Sequence, residues 1–318
     1  MKMELEDVAK LLTEYNHFVI TAHVNPDGDA VGSLLALMHG LKALNKQVTC
    51  LIDDEIPRNF EIMPGYEMIA RPQEAIVNAD LLIILDCSDL ERIGKTSEVV
   101  NAPILNIDHH ISNNGFADYL HLDANSAATG EIIFRLLKQL KVEITKSMAI
   151  CLYTAIATDC GFFRYANTSA ETMQIGAELL ACGVKPNIIS ENLEKKSLTA
   201  LQTLGKVLDS LELFAQGHIS CITITSEIVE ECDSTEGFID FARIVEGVDV
   251  AIMVKYIDEK TCRISMRSKQ TDVSKVALQF SGGGHVRAAG CTLNLPLAEA
   301  KQTIIAAVQA AMEDMRHE

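Results

Sequence analysis

The sequence predicts an α/β protein of two domains, an N-terminal domain on a parallel sheet and a smaller α+β domain at the C-terminal end. Three observations carry this reading. A length of 318 residues corresponds to two domains at about 150 residues each. The first half alternates short apolar runs with helical patterns, as buried parallel strands and their crossover helices do. Near Gly217 the texture changes to β-rich runs separated by short polar turns.

The elements follow in order. His17 to Thr21 reads as the first strand and Asp29 to Leu44 as an amphipathic helix. Val48 to Ile52, Leu81 to Leu85 and Ile104 to Ile107 read as further strands, each Leu/Ile/Val-rich and closed by polar residues, in a sheet covered by helices on both faces. Helices are expected at about Ala127 to Leu140 and Ser147 to Ala157, then a helical stretch from Ser169 to Leu208. Within it, Glu191 to Lys206 reads as a helical linker. The expected organisation is a first domain over 1–190, a linker over 191–210 and a second domain over 211–318. Ile219 to Thr225, Val250 to Ile257 and Cys262 to Ser268 read as strands of that domain, which ends in a glycine cluster and a helix from Leu297 to Met315.

Composition excludes several functions. With 48% hydrophobic residues the chain has core material enough to exclude disorder as its main state. Lys and Arg total 27 against 44 Asp and Glu, a formal charge of -17 that repels long polyanions such as duplex DNA. No apolar run reaches the ~18 residues that span a bilayer, and acids stand where a signal peptide carries bases; a soluble cytoplasmic protein without a membrane partner is expected. Nine cysteines with no CxxC pair indicate neither a disulfide framework nor a zinc knuckle.

In an open parallel sheet, ligands bind outside the carboxyl ends of the strands. Four segments qualify. The first strand runs into His23, Asp27 and Asp29, the third into Asp86, and the fourth into Asp108, His109 and His110; the helix from Ser147 leads into Asp159. Singly, each admits a plain explanation: Asp29 as a helix cap, Asp86 as a loop residue, Asp159 as a helix end. Two adjacent histidines after a buried strand are harder to explain so, because polar groups there are costly. Jointly the segments point to metal ligation. Carboxylates outnumbering imidazoles suit Mn²⁺, Mg²⁺ or Fe²⁺ better than structural Zn²⁺. Two such ions roughly 3.5–4 Å apart clamp a phosphate ester for in-line attack.

These residues resemble the DHH phosphoesterase family, whose name is the triplet Asp108-His109-His110. The likeness extends over nearly the whole chain: His23-x-x-x-Asp27-x-Asp29, the lone Asp86, the triplet, and Thr158-Asp159-Cys160-Gly161. Arg267-Ser268 and Gly282-Gly283-Gly284-His285 in the second half look like the DHHA1 substrate-binding domain. Length and layout are most similar to the bacterial oligoribonucleases of the family that also act as 3'-phosphoadenosine 5'-phosphate phosphatases. The resemblance implies one metal on His23, Asp27 and Asp86, and a second on Asp29, Asp86, His109 and Asp159, with a bridging hydroxide attacking the phosphate. It implies that Asp108 orients its neighbours and that His110 faces the scissile phosphate, as a charge-stabilising or a proton donor. Two departures stand out: Cys160 replaces the more usual threonine, which raises redox sensitivity as an expectation, and Val286-Arg287 replaces a proline and an uncharged residue.

On physical grounds the glycines let backbone N–H groups approach a phosphate, and Arg267 offers a planar fork for one. Arg267 and His285 are therefore expected to hold the non-scissile part of the substrate, with Arg164 as a weaker candidate. Hinge motion about the linker would then gate a cleft between metals and anchors. Competing readings are a cyclic or linear dinucleotide phosphodiesterase, a manganese inorganic pyrophosphatase, and a nucleotide-binding sensor without turnover. Alanine- and leucine-rich helices such as Ser33 to Leu44 face either a core or a partner, so a homodimer stays open. The acidic balance favours short single-stranded RNA of about two to five units, dinucleotides or a nucleoside bisphosphate over long RNA. At equal concentration, a long single strand should be hydrolysed more slowly than a dinucleotide; equal rates in a direct competition assay would remove this electrostatic account.

Overall fold

The computed structural model describes residues 1–231, 235 and 237–314, so Met315, the expected end of the last helix, lies outside the described residues. The chain parts into two compact units between Lys195 and Lys196.

The first unit holds helix α1 (Leu5–Glu14), strand β1 (His17–Thr21), α2 (Gly28–Ala43), β2 (Gln47–Leu51), β3 (Ile69–Ala70), β4 (Val77–Asn78) and β5 (Leu81–Leu85). It continues through α3 (Thr96–Val99), β6 (Val100–Asn101), β7 (Ile104–Asp108), β8 (Tyr119–Leu122), α4 (Thr129–Gln139), α5 (Lys146–Asp159), α6 (Ala170–Ala181) and α7 (Pro186–Leu193). Six strands pair in the order β3-β2-β1-β5-β7-β8, every pair parallel; β4 and β6 form a separate small pair. Side chains of a strand alternate between faces. Accordingly Phe18, Ile20, Leu81, Ile83 and Leu85 enter the core shared with α1, α2, α4 and α5, while Val19, Leu82 and Ile84 enter a smaller one with Ile93, Val99 and Val100. The second face is thus covered by α3 and short segments rather than by long helices. At one edge the N-terminus adds a bridge, Lys2 to Leu120.

Because all six strands point the same way, His23, Asp86 and Asp108 emerge at one end of the sheet. Two helices bring the remaining acids there. In α2, Gly28 and Gly32 face α5 so closely that a Cβ on Gly28 would lie 2.4 Å from Thr158 Oγ1, and one on Gly32 2.5 Å from the Cys151 carbonyl oxygen. The helices run antiparallel, so the start of α2, with Asp29, meets the end of α5, with Asp159. The Ala/Leu face of α2 is core: Leu34, Leu35, Leu37 and Leu41 are fully buried.

The expected helical stretch from Ser169 to Leu208 is three helices. It breaks at Gly183, whose φ of +94° disfavours any residue with a Cβ, ahead of Pro186 at the first position of α7. It breaks again before Ser197, which caps α8 (Leu198–Leu208). Within the expected 191–210 linker, Leu204 and Val207 of α8 pack against Ile222 and Phe238 in the second unit's own core.

The second unit adds β9 (Glu212–Phe214), β10 (Ile219–Ile224), α9 (Ser226–Glu231), α10 (Phe238–Arg243), β11 (Val250–Asp258), β12 (Thr261–Ser268), α11 (Val273–Leu278), β13 (Gly283–His285), β14 (Ala288–Leu293) and α12 (Leu297–Asp314). Its sheet has the order β13-β14-β12-β11-β10-β9, parallel only between β10 and β11. α11 and α12 supply one core, and α8 and α10 the other.

The Gly32 contact is testable. Gly32→Val should overpack the α2/α5 crossing and destabilise the chain by about 1–3 kcal/mol, read as a lower denaturation midpoint. An unchanged midpoint would show that the helices yield there.

Candidate active site

His23, Asp29, Asp86, Asp108 and His109 are all buried at the carboxyl end of the first sheet, although apolar side chains would be cheaper in such positions. Asp86 follows β5 with a left-handed φ of +55°, and Asn25 in the β1 loop has +53°. Non-glycine residues there are strained, and such strain gathers at functional sites.

The donor atoms fall into two sets that share one carboxylate. His23 Nε2 stands 3.5 Å from Asp86 Oδ2 and 3.8 Å from Asp27 Oδ2. His109 Nε2 stands 3.5 Å from Asp86 Oδ1, 3.5 Å from Asp159 Oδ2 and 3.8 Å from Asp29 Oδ2. Ligand atoms of His23, Asp27 and Asp86 lie within 4.8 Å of one another, and so do those of Asp29, Asp86 and His109. These separations exceed hydrogen-bond lengths and match donors arranged around a small cation. Both rings are also set for ligation: Nδ1 of His23 bonds the Val24 carbonyl at 2.8 Å, and Nδ1 of His109 bonds the Ser126 carbonyl at 3.2 Å. With Nδ1 donating to a carbonyl, Nε2 is the nitrogen turned to the acids. A divalent oxygen-seeking cation fits this donor set.

Charge is arranged unevenly. Burial opposes ionisation of Asp86, yet His109, His23 and His110 outweigh it and hold this carboxyl well below its ordinary range. Burial, reinforced by Asp86, pushes Asp29 well above that range. Burial likewise pushes Asp159 up to about 7, and as the last residue of α5 its carboxylate also opposes the helix dipole. For His109, burial works against protonation but Asp86 and Asp159 prevail, raising the ring well above its usual value.

A family model described as "DHH family, N-terminal domain" matches residues 17–156, and one described as "DHHA1 domain" matches residues 233–314. The bifunctional oligoribonuclease and PAP phosphatase NrnA of Thermus thermophilus is 33% identical over 91% of this chain and 88% of its own. The chain belongs to the DHH family. NrnA of Bacillus subtilis is 24% identical over 92% of this chain and 93% of its own. Among solved structures, an exopolyphosphatase-related protein from Bacteroides fragilis superposes with a TM-score of 0.87 at 27% identity, covering 96% of this chain and 95% of that one.

The residues of the DHH triplet differ in partners. Asp108 Oδ1 accepts Nδ1–H of His110 at 2.7 Å and the backbone N–H of His109 at 2.8 Å. Its Oδ2 accepts Asn113 Nδ2 at 2.6 Å, and Asn113 also donates to Asn106 Oδ1 at 2.8 Å. Asn106 in turn donates to the Ile84 and Cys87 carbonyls, which ties the triplet to the end of β5. Asn106 and Asn113 were not among the expected residues, although an asparagine inside a strand as apolar as β7 is itself a signal. Burial disfavours a charged His110, but Asp108 and Asp86 raise its ring above the ordinary value.

Several other residues escape sequence reasoning. Asp27, not Asp29, caps α2, accepting from the backbone of Asp29 and Ala30. Asp29 instead accepts Thr129 N at 2.6 Å and Gly130 N at 2.8 Å, capping α4 from another helix. Thr129 Oγ1 donates to Asp86 Oδ1 at 3.1 Å. Arg135 binds Asp123 and Ser126 Oγ, holding the loop whose carbonyl receives His109.

Cys160 and Arg164 lie just after Asp159 in the sequence. Cys160 is buried, its sulfur accepting Phe163 N–H at 3.2 Å, and burial pushes the thiol up to about 11. A thiol so protonated is a small core group, which corrects the redox expectation. Arg164 is exposed and its Nε donates to the Gly161 carbonyl at 2.7 Å.

In the second unit, Arg267 lies on β12 opposite Ala288 and bonds the Met266 carbonyl. Ser268 is buried and its hydroxyl donates to the Thr271 carbonyl at 2.5 Å, closing a loop. Gly282 and Gly284 serve packing: a Cβ on either would lie 2.3 Å from the Gly290 carbonyl oxygen or 2.5 Å from that of Ala288. Gly283 alone of the three faces open space. His285 ends β13, and Arg287 bonds the Gln270 carbonyl. Among the described residues no helix is long and apolar enough to cross a membrane.

The raised Asp159 has a consequence for stability. Its folded value of about 7 exceeds the ordinary 3.8, so the unfolded chain loses this proton first and stability falls as pH rises between those values. In chelator-treated protein, Asp159→Asn should raise the melting temperature at pH 8 and leave it nearly unchanged near pH 4. A destabilised variant at pH 8 would overturn this assignment.

Proposed function

We propose that this chain is a two-metal phosphoesterase that hydrolyses short oligoribonucleotides, of about two to five units, and 3'-phosphoadenosine 5'-phosphate. The observation that carries the reading is Asp86, whose two oxygens face two separate imidazole-carboxylate sets at 3.5 Å each. The names of the full-length relatives support the reaction class.

His23, Asp27 and Asp86 would hold one cation, and Asp29, Asp86, His109 and Asp159 the other, with Mn²⁺ first and Mg²⁺ or Fe²⁺ as alternatives. When bound, such a pair supplies Lewis acidity to the phosphoryl oxygens and lowers the pKa of water to near neutrality. The protein's own groups do the rest. Asp108 accepts Nδ1–H of His110, fixing its ring and favouring its charged form. His110 then acts as a cationic donor toward the scissile phosphate or the leaving oxygen. In the second unit, Arg267 and His285 supply cationic groups for the non-scissile part of the substrate, and Gly283 leaves a backbone approach open. A formal charge of -17 disfavours long polyanions, which supports small substrates over long RNA.

The test is a Mn²⁺-supplemented panel of short RNA, 3'-phosphoadenosine 5'-phosphate, cyclic dinucleotides and pyrophosphate. Short RNA and the bisphosphate should be the preferred substrates, and a chelator should abolish turnover. Asp86→Ala should lower kcat/KM by more than about a hundredfold with the circular dichroism spectrum kept. Preference for cyclic dinucleotides or pyrophosphate would reassign the substrate, and an active Asp86→Ala variant would remove the shared-ligand account.

A further inference from the structure

We infer that Thr129 is a positioning residue that fixes how Asp86 divides its two oxygens between the two ligand sets. The inference rests on the two-metal reading above and goes beyond it, since Thr129 belongs to neither set.

Thr129 is fully buried and opens α4. The residue before it, Ala128, has no side chain able to cap the helix, and Asp29 fills that role from α2 by accepting the N–H groups of Thr129 and Gly130. The backbone of Thr129 is thereby pinned to one acid of the site. Its hydroxyl reaches a second, Asp86 Oδ1 at 3.1 Å. Elsewhere in this site's helices, threonines bond back to their own helix: the buried Thr154 to the Ile150 carbonyl at 2.8 Å and the half-buried Thr158 to the Thr154 carbonyl at 2.9 Å. At the first turn of α4 no preceding helical carbonyl exists for that purpose, so the hydroxyl is directed outward.

The chemical consequence concerns rotation of a carboxylate. The plane of an aspartate carboxyl turns in a broad, roughly two-fold well, and its two oxygens are chemically equivalent. Oδ1 must face His109 while Oδ2 faces His23 for one group to serve both sets. An ionised carboxylate only accepts hydrogen bonds, so the Thr129 hydroxyl has to donate. In donating to Oδ1 it restrains the plane in the orientation that splits the oxygens. The same residue holds Asp29, so α4 sets the spacing between two acids that approach from β5 and α2. Groups that orient metal-binding side chains commonly contribute 10- to 100-fold in metal affinity.

Thr129→Val keeps the branched shape and removes the donor, and Thr129→Ser keeps the donor. Mn²⁺ titration of the full chain by isothermal calorimetry should show one or both sites of Thr129→Val weakened about 10- to 100-fold, with Thr129→Ser close to wild type. Turnover at saturating Mn²⁺ should show a lower kcat with KM nearly kept. Should Thr129→Val unfold, Thr129→Ala is read in the same titration. Wild-type affinity in the valine or alanine variant overturns the inference, as does an equal loss in Thr129→Ser, which would assign the effect to packing. If the wild-type chain takes up no Mn²⁺, the two-metal reading itself fails, and this inference with it; a wild-type chain that binds while the variant binds equally removes the inference alone.

Discussion

Asp86 bears the constraint on which the rest of the first unit depends. It is a fully desolvated carboxylate kept ionised by imidazoles on either side, and its oxygens must look in two directions at once. A charge in that position without partners is prohibitively costly. Every neighbouring feature reduces the cost or exploits it: the left-handed backbone that turns it away from β5, the rings steered by carbonyls behind them, and the threonine hydroxyl from α4.

The same constraint explains why the helix packing is so close. Acids that repel one another have to be delivered from separate elements, and the delivery has to be rigid. The Gly28 and Gly32 face of α2 lets its backbone approach α5 directly, so Asp29 and Asp159 arrive from opposite helix ends. Their electrostatic situations differ. Asp29 enjoys two helix N-termini, its own and that of α4, while Asp159 sits at a helix C-terminus where the dipole opposes it. The burial that raises Asp159 is offset only in part by the His109 ring beside it.

Much of the parallel sheet was legible because buried strands are short, branched and apolar on both faces; β1 and β5 were read with the observed bounds. What failed has physical causes. β8 is only four residues long and mostly half-buried, too short for its pattern to announce a strand. The long helical stretch after Ser169 kept its periodicity across two breaks, and only the turn chemistry at Gly183, Pro186 and Ser197 marks them. In the glycine cluster, the close approach of Gly282 and Gly284 to β14 is set by strand pairing, which composition does not show.

The amino-acid order alone singled out histidines and aspartates that the fold brings together, because such residues at the ends of apolar runs have few cheaper explanations and parallel strands must release them at one edge. It could not specify partners separated by long stretches of chain. That Asp29 caps α4, that Ser126 offers its carbonyl to His109, and that Thr129 touches Asp86 all follow from where helices dock on the sheet. Those contacts depend on backbone positions and helix ends, which leave no mark on the periodicity of any single segment.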